Sequence, residues 1–339
     1  MPLRTGLLGY GIAGRVFHAP LIATTPGLEL SAVVTADPTR RAHAQATYPG
    51  VQLPRAVEEL FALDLDVVVV ATPNRTHVPL ALAAIEAGLA VVVDKPFAPT
   101  SADARRVLQA AKYRGVPVTV FQNRRWDSDF RTVRSLVAEG ALGTVTRFES
   151  RFERWVPDVW DNWREFGAPE EAGGLLYDLG AHLVDQALEL FGPVSTVYAE
   201  LDRRRPGVEV DDDVFVALTH ANGVRSHLWA SSAAPDHGPR LRVLGSTGAY
   251  VSHGLDRQEE ALAAGKPFDD LSTNGRLGLL DDAEEVVGLP GAYSEFYRLL
   301  VAALTEGGPL PVEPESAVRA LEVIEAAFTS ARTGQVVSR

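Results

Sequence analysis

Two runs of valine constrain the fold of this chain more than any other feature. Val67–Val70 and residues 91–93 are apolar at every position, which is typical of strands buried on both faces of a parallel sheet. Such strands alternate here with amphipathic helical segments, and each strand–helix pair takes about 25 residues. The sequence therefore predicts a doubly wound parallel α/β sheet in its first half.

A glycine-rich segment follows the first predicted strand. Residues 3–8 are mostly apolar, and Gly9-Tyr10-Gly11-Ile12-Ala13-Gly14 comes next, before a helical pattern at 15–23. In such a turn the first glycine permits the bend and the second lets the backbone approach a pyrophosphate. The third lets the helix pack closely on the strand. This context predicts that residues 9–14 bind a dinucleotide.

The end of the second predicted strand bears on the choice of cofactor. An acid about 20 residues past the glycines normally binds the ribose of NAD, but here Thr35 holds that place and Asp37 follows two residues later. Thr35, Arg40 and Arg41 could instead surround a 2′-phosphate. We assign Thr35, Asp37 and Arg40 to the cofactor site and favour NADP, although an inward-facing Asp37 would repel a phosphate.

Polar residues also follow the later strands of the predicted sheet. Because the carboxyl ends of parallel strands meet at one edge, where ligands collect, Lys95 is either an ordinary surface charge or a ligand-facing amine. His77 alone could equally be an ordinary residue at the start of a helix. The strand-end residues that we assign to the cofactor site are Thr72, Pro73, Asn74, His77, Asp94, Lys95, Gln122 and Arg125.

The pattern changes beyond residue 125. Polar and apolar residues alternate in several runs, and Asn222-Gly223 between two of them indicates a hairpin, so we expect a mostly antiparallel sheet with helices. Residues 257–282, rich in Gly, Asp and Glu, predict a surface excursion. The predicted division is a dinucleotide-binding domain at 1–125, a substrate-binding and oligomerisation domain at 126–312, and a helix at 313–339 that returns to the first domain.

A second set of polar residues lies within the second domain. Asp178 and His182 are four residues apart and Asp185 is three further on, so on a helix all three share a face. A carboxylate that orients an imidazole suits proton transfer from an alcohol. The same residues could instead satisfy one another in a buried helix. We assign no metal, because we see no further ligands nearby.

Aromatic residues and arginines crowd the same part of the chain. Such side chains line sugar-sized pockets, although most tryptophans are simply core residues. The predicted substrate-binding residues are Lys95, Asn123, Arg124, Trp126, Arg151, Arg154, Trp163, Tyr177, Asp178 and His182.

The composition limits the kinds of partner that we expect for this chain. A net charge of −12 argues against non-specific binding to nucleic acid or to an anionic membrane. No apolar run is long enough to span a bilayer, and we expect no signal peptide, because Met1-Pro2-Leu3-Arg4 leads directly into the first predicted strand. The chain has no cysteine, which suits the cytoplasm that we predict as its location.

Four motifs together resemble those of the Gfo/Idh/MocA oxidoreductases, over essentially the full chain. They are Gly9-Tyr10-Gly11-x-x-Gly14, Ala71-Thr72-Pro73-Asn74-x-x-His77, Asp94-Lys95-Pro96, and Gly173-Gly174 with Asp178-x-Gly180-x-His182. Within that family, residues 11–20 and 123–127 resemble the branch that contains NADP-dependent scyllo-inositol dehydrogenases.

The resemblance implies a Rossmann domain and a C-terminal α/β domain with a large, mostly antiparallel open sheet that forms a homodimer or homotetramer interface. It also implies that Lys95 and His182 are catalytic, that Asp178 assists, and that the peptide before Pro96 is often cis. Two positions depart from the pattern. Asp94 replaces the commoner glutamate, which should be tolerated, and Ala36-Asp37 replaces a Ser-Arg pair, which leaves both NAD and NADP open.

The combined prediction is an NAD(P)-dependent dehydrogenase that oxidises a secondary alcohol of a cyclitol or sugar, with Lys95, Asp178 and His182 as catalytic residues. Two other functions stay open. One is a non-catalytic dinucleotide sensor or scaffold, against which the retained trio argues. The other is an enzyme that keeps NAD bound and uses transient oxidation for elimination or glycoside cleavage.

Overall fold

The structure is a computed structural model that describes residues 1–160, 162–165, 167 and 171–339. The chain folds into two compact units. Unit 1 comprises Met1–Asn123, Glu259–Phe268 and Ala292–Val318, and unit 2 comprises Arg124–Gln258, Asp269–Gly291 and Arg319–Arg339. The finer division of function among 1–125, 126–312 and 313–339 stays a prediction.

The secondary-structure elements follow one another in this order along the chain. The strands are β1 (Leu3–Leu8), β2 (Leu28–Val34), β3 (Val67–Val70), β4 (Ala90–Asp94), β5 (Val118–Phe121), β6 (Val145–Glu153), β7 (Val194–Asp202), β8 (Asp213–His220), β9 (Arg225–Ser231), β10 (Leu241–Gly245), β11 (Ala249–Ser252), β12 (Gly275–Gly278), β13 (Glu284–Val286) and β14 (Val337–Ser338). The α-helices are α1 (Ala19–Thr24), α2 (Pro38–Thr47), α3 (Val57–Phe61), α4 (His77–Glu86), α5 (Ser101–Arg114), α6 (Ser128–Ala138), α7 (Ala181–Phe191), α8 (Gln258–Ala263), α9 (Ser294–Glu306) and α10 (Pro314–Thr333). Single turns of π-helix lie at Ala13–His18 and Leu176–Gly180, and 3-10 turns lie at Asn74–Thr76, Asn123–Trp126 and Leu280–Asp282.

Unit 1 is built on a five-stranded parallel sheet with strand order β2-β1-β3-β4-β5. All four residues of β3 are fully buried, as their unbroken run of valine predicts. The order of the strands reverses between β1 and β3, which is the position where open sheets of this kind bind ligands. The predicted doubly wound sheet is confirmed.

The helix predicted at 15–23 begins as a π-helical turn and continues as α1. Pro20 explains the change, because it has no N–H to donate to the carbonyl of Val16, and its ring crowds that carbonyl in a regular α-helix. A wider turn before the proline accommodates both effects. The sequence predicts the helix at this place but not its irregular first turn.

Unit 2 is built on a nine-stranded sheet with strand order β13-β12-β11-β10-β6-β9-β8-β7-β14. All of its pairs are antiparallel except β6 with β9, so the predicted mostly antiparallel sheet is confirmed. The hairpin predicted at Asn222-Gly223 joins β8 to β9, and Gly223 has a φ of 89° there. Along β8, buried residues alternate with half-exposed ones, so one face of the sheet is covered and the other is more open.

The expectation that residues 257–282 form a surface excursion is wrong in part. Gln258 is fully buried at the start of α8, where its amide donates to the carbonyl of Trp126 and to Asp256. Gly275 belongs to β12 and lies against the ring of Tyr250, where a side chain would not fit. Most of the other residues of the segment are exposed, as the composition predicts.

The helix predicted within 313–339 is α10, and its apolar stripe is buried at Val318, Leu321 and Ile324. The part of α10 that belongs to unit 2 is tied to the sheet, because Ser330 Oγ accepts from the backbone N–H of Ala199 at 3.0 Å. No helix among the described residues is long and apolar enough to cross a membrane.

Candidate active site

The glycine-rich loop lies at the carboxyl end of β1. A Cβ at Gly9 would meet the Ala71 carbonyl oxygen at 2.3 Å, and one at Gly14 would meet the Gly9 carbonyl oxygen at 2.1 Å. A Cβ at Gly11 would meet nothing nearer than Arg40 Nη1 at 3.9 Å. Gly9 and Gly14 are therefore required by the chain's own packing, whereas the space at Gly11 is open for a ligand. This cradle fits a cofactor pyrophosphate.

The remaining residues of the loop differ in exposure. Tyr10 is buried and its hydroxyl lies 3.1 Å from His43 Nδ1, so its side chain anchors the loop to α2. Ile12 is exposed and Ala13 half-exposed, on the side of the loop that turns away from the core.

Asp37 and the two arginines after β2 have distinct roles. The Asp37 carboxylate caps α2 by accepting from the Arg40 backbone N–H at 2.9 Å. The Arg41 guanidinium donates to backbone carbonyls, including those of Leu53 and Pro54, and is thereby fixed. Arg40 has an exposed side chain beside Gly11. Buried Thr35 ends the strand.

His77 braces the ends of β3 and β4. Its ring is buried, Nε2 lies 2.9 Å from the Thr72 carbonyl oxygen, and Nδ1 lies 2.8 Å from the Pro96 carbonyl oxygen. Burial lowers the pKa of His77, although Asp94 and the two carbonyls act in the opposite direction. The peptide between Lys95 and Pro96 is cis. Both ring nitrogens thus contact backbone, and direct contact of His77 with the cofactor stays a prediction.

The neighbours of His77 fill the same edge of the sheet. Asn74 is buried, and the hydroxyls of Thr72 and Thr76 lie 2.6 Å apart beside the half-exposed Pro73. Buried Gln122 follows β5, and its side-chain oxygen has no hydrogen-bond partner among the described residues. A buried acceptor of this kind suits a ligand that donates N–H groups, such as a carboxamide.

Asp94 lies at the point where β4 gives way to Lys95. Its carboxylate accepts from the backbone N–H of Lys95 at 2.9 Å. Burial alone would raise the pKa of Asp94, but His18, Lys95 and His77 outweigh burial and hold the pKa below its ordinary value. Asp94 is therefore a charged carboxylate directly beside the predicted catalytic amine.

In unit 2, the helix that carries Asp178 and His182 is capped by a carboxylate distant in sequence. Asp211 accepts from the Leu176 backbone N–H at 2.7 Å, and its own carbonyl accepts from the Leu175 N–H at 2.8 Å. Gly174 has a φ of 92°, and a Cβ there would lie 2.3 Å from the Asp211 carboxylate. Gly174 of the predicted glycine pair thus makes room for this cap.

Asp178 lies in the π-helical turn that runs directly into α7, and His182 lies in the first turn of α7. Arg164 Nε is 3.8 Å from the Asp178 carboxylate. His182 is 4% exposed, and its ring meets the edge of Phe152 with 6.5 Å between centroids. Among the described residues, no three His, Asp or Glu side chains are grouped so as to hold a metal ion.

Two arginine guanidinium groups lie over the ring of Phe152. The guanidinium carbons of Arg124 and Arg240 lie 4.8 and 4.0 Å from the ring centroid. Arg240 is buried and faces Asp129 at 3.2 Å, and Arg124 faces Asp127 at 3.3 Å. The sequence predicted a substrate-binding role for Arg124 but gave no signal for Arg240, which lies in a turn that matches no motif.

Asp185 does not act as a third member of the Asp178–His182 set. Its two carboxylate oxygens accept from Arg125 at 2.7 and 2.8 Å, and Glu189 takes the third guanidinium nitrogen at 3.1 Å. These carboxylates raise the pKa of Arg125 despite its burial. Arg125 thus joins the turn before α6 to α7, and its predicted contact with the cofactor stays a prediction.

The other residues that were predicted to bind substrate lie in different local environments. Trp126 and Asn123 are buried, Arg154 is half-exposed at the end of β6, and Trp163 lies 4.6 Å beneath the Arg164 guanidinium carbon. Tyr177 packs on Phe328 with 5.4 Å between ring centroids.

Side chains alternate between the two faces of the sheet along β6, and Arg151 does not lie on the face that contacts His182. Phe152, which contacts His182, points to the covered face, so the preceding residue points to the other face. There Arg151 lies 3.8 Å over the ring of Trp229 and pairs with Glu149 at 3.1 Å. The structure thus gives Arg151 partners on the open face of the sheet.

Together these features define a class of protein. Unit 1 has a parallel sheet with a glycine cradle for a dinucleotide, and unit 2 has an imidazole and a carboxylate on one helix. Residues 3–122 match the family model described as "Oxidoreductase family, NAD-binding Rossmann fold", and residues 130–251 match "GFO/IDH/MocA C-terminal domain".

Whole-chain comparisons agree. The oxidoreductase YdgJ of Escherichia coli is 42% identical, over 97% of this chain and 96% of its own. The scyllo-inositol 2-dehydrogenase (NADP(+)) IolW of Bacillus subtilis is 33% identical, over 99% and 95%. The solved structure of Bacillus subtilis yvaA matches with a TM-score of 0.92 at 31% identity and covers 100% of both chains. The chain belongs to the Gfo/Idh/MocA family of NAD(P)-dependent oxidoreductases.

The Asp211 cap predicts a pH-dependent contribution to stability. Burial raises the pKa of Asp211 to about 6, so the folded chain binds this proton more tightly than the unfolded chain does. Stability therefore falls as pH rises from about 4 to about 6 and stays lower above that range. Relative to Asp211→Asn, which keeps an acceptor oxygen, the wild type should lose about 2 kcal/mol of unfolding free energy between pH 4 and pH 7.

Urea denaturation of both proteins at the two pH values measures this difference. Asp211→Ala is the matched control, because it removes the acceptor as well and should be destabilised at both pH values. An equal wild-type-to-Asn difference at pH 4 and pH 7 would show that the pKa of Asp211 is not raised.

Proposed function

We propose that this oxidoreductase is a dehydrogenase that reversibly oxidises a secondary alcohol of a cyclitol or sugar with NAD(P). The proposal is carried by one observation: the chain keeps an amine at the end of β4 and an imidazole–carboxylate pair on one helix, namely Lys95 with Asp178 and His182. The relative IolW, a scyllo-inositol 2-dehydrogenase, supports the substrate class.

The residues of unit 1 would hold the cofactor. Gly9, Gly11 and Gly14 form the cradle for the pyrophosphate, and Gln122 offers its buried oxygen to the carboxamide. The bound nicotinamide supplies the acceptor for the hydride that leaves the substrate carbon.

The protein's own groups would handle the proton and the charge on oxygen. His182 accepts the proton of the substrate hydroxyl, and Asp178 keeps the imidazole in the tautomer that can do so. The Lys95 ammonium stabilises the negative charge that develops on that oxygen. In the reverse direction His182 returns the proton.

Changing Lys95→Met should lower turnover by at least about 100-fold, since one electrostatic group facing the developing charge is lost. Cofactor affinity should stay nearly unchanged, because the cradle is intact. Turnover is measured at 340 nm on a panel of inositols and sugars, and affinity by cofactor titration. Lys112→Met, at an exposed position of α5, is the matched control.

Survival of turnover within about tenfold in Lys95→Met would contradict the role given to Lys95. Tight cofactor binding without turnover of any polyol by the wild type would favour the sensor or scaffold. A nicotinamide that co-purifies and resists dialysis would favour an enzyme that oxidises transiently.

We also propose that NADP is preferred, through Arg40. Arg41 is fixed by backbone carbonyls and Asp37 caps α2, whereas the Arg40 guanidinium is exposed beside Gly11, 3.9 Å from the Asp37 carboxylate. A guanidinium is a natural partner for a 2′-phosphate. Arg40 is thus the cation best situated to select NADP.

Changing Arg40→Ala should lower kcat/KM for NADP by about 10- to 100-fold, the usual effect of losing a hydrogen bond to a charged group. kcat/KM for NAD should change little. Arg106→Ala, which removes an exposed arginine of α5, is the control. A wild type that prefers NAD, or an unchanged ratio in Arg40→Ala, would contradict this assignment.

Finally, we propose a homodimer or homotetramer formed through the open face of the nine-stranded sheet. Phe215 and Trp229 lie 5.2 Å apart there, half-exposed and beside His227. A contiguous aromatic patch on a sheet marks an interface more often than a free surface.

Sedimentation equilibrium at micromolar concentration should give a mass of two or four chains. Trp229→Glu should reduce that mass, because it buries a charge in the contact, whereas Trp155→Glu, at an exposed tryptophan outside the patch, should not. A single-chain mass for the wild type would contradict the proposal.

A further inference from the structure

We propose that His18 is a positioning residue for Lys95, which acts through the carboxylate of Asp94, and that Tyr297 sets the orientation of its ring. This inference rests on the catalytic role proposed for Lys95. All four residues belong to unit 1.

His18 stands between the glycine loop and the end of β4. It is the last residue of the π-helical turn and is fully buried. Its ring lies on Phe121 with 4.3 Å between centroids, and Nε2 lies 3.9 Å from Asp94 Oδ1. An apolar side chain would fill such an aromatic pocket without cost, whereas a buried imidazole needs a polar partner. Asp94 and Tyr297 are the partners of His18.

The hydrogen-bond direction follows from Tyr297. Its hydroxyl lies 2.6 Å from His18 Nδ1, and burial raises the pKa of Tyr297 well above its ordinary value, so the hydroxyl keeps its proton. The hydroxyl has no other hydrogen-bond partner among the described residues, so it donates to Nδ1. The ring proton then sits on Nε2, on the side that faces Asp94.

His18 and Lys95 face the same oxygen of the Asp94 carboxylate. Oδ1 accepts from the Lys95 backbone N–H at 2.9 Å and lies 3.9 Å from the Nε2–H of His18. His77, from α4, faces the same carboxylate. At 3.9 Å the His18 contact is electrostatic rather than a hydrogen bond. His18 thus helps to fix the oxygen that holds the Lys95 backbone, and it positions Lys95 through that oxygen.

The composition of the chain allows a direct measurement on Lys95. Only three lysines are present, Lys95, Lys112 and Lys266. After reductive methylation with ¹³C-formaldehyde, Lys95→Arg identifies the Lys95 signal, and an NMR titration reports its pKa without substrate or turnover. The result of this titration can therefore be interpreted even if the proposed enzymatic function is wrong.

His18→Phe keeps a ring in the aromatic pocket and removes the N–H that faces Asp94. The Lys95 signal should titrate at a higher pH, because the Asp94 carboxylate then acts on Lys95 without the opposing N–H dipole. If a substrate is found, kcat should fall by about 10- to 100-fold with little change in cofactor KM. His18→Gln, which restores an N–H, should recover part of both effects, and Tyr297→Phe should give a smaller shift in the same direction.

Asp94→Asn provides the decisive comparison. If His18 acts through Asp94, adding His18→Phe to the Asp94→Asn variant should produce no further shift of the Lys95 pKa. His43→Phe is the matched control, since His43 also contacts a tyrosine, Tyr10, but lies away from Asp94. An unchanged Lys95 pKa in His18→Phe, or the same shift with and without the Asp94 carboxylate, would overturn the proposal.

Discussion

The burial of β3 and β4 on both faces decides where chemistry is possible in unit 1. Apolar side chains occupy every position of β3, so polar groups appear only past the strand ends. The glycine cradle, the His77 brace and Lys95 all lie there because there is no other place for them in a doubly wound sheet. The cradle depends on the same packing, since Gly9 lies directly against the carbonyl of Ala71.

Each unit also places a carboxylate on backbone N–H groups next to a residue of the candidate site. Asp94 receives the N–H of Lys95 and stays charged because cationic and imidazole groups surround it. Asp211 receives the N–H of Leu176 and has a raised pKa because burial outweighs its hydrogen bonds. In both cases a short carboxylate side chain orients the local backbone. The balance between burial and neighbouring charges then determines the pKa of that carboxyl group.

Periodicity was enough to predict both sheets, and the spacing of the glycines after β1 was enough to predict the glycine loop. Contacts between residues distant in sequence were not predictable, because spacing carries no information on them. Asp211 lies 35 residues beyond the backbone it caps, and the Arg125–Asp185 pair spans 60 residues. The spacing placed Asp185 on the same helix face as His182, and it gave no sign that the Asp185 carboxylate pairs with the buried Arg125 guanidinium.

The parallel pairing of β6 with β9 has a consequence for how unit 2 assembles. Both sheet neighbours of β6, β9 and β10, come later in the chain than β7 and β8 do. As the polypeptide leaves the ribosome, β7, β8 and β9 can form a meander from adjacent segments. The first strand that pairs with β6 is β9, which begins more than 70 residues after β6 ends. Closing that long loop is the entropically costly event in this topology. The strand that carries Phe152 can therefore pair only after β7, β8 and β9 have been made, although it lies at the centre of the sheet.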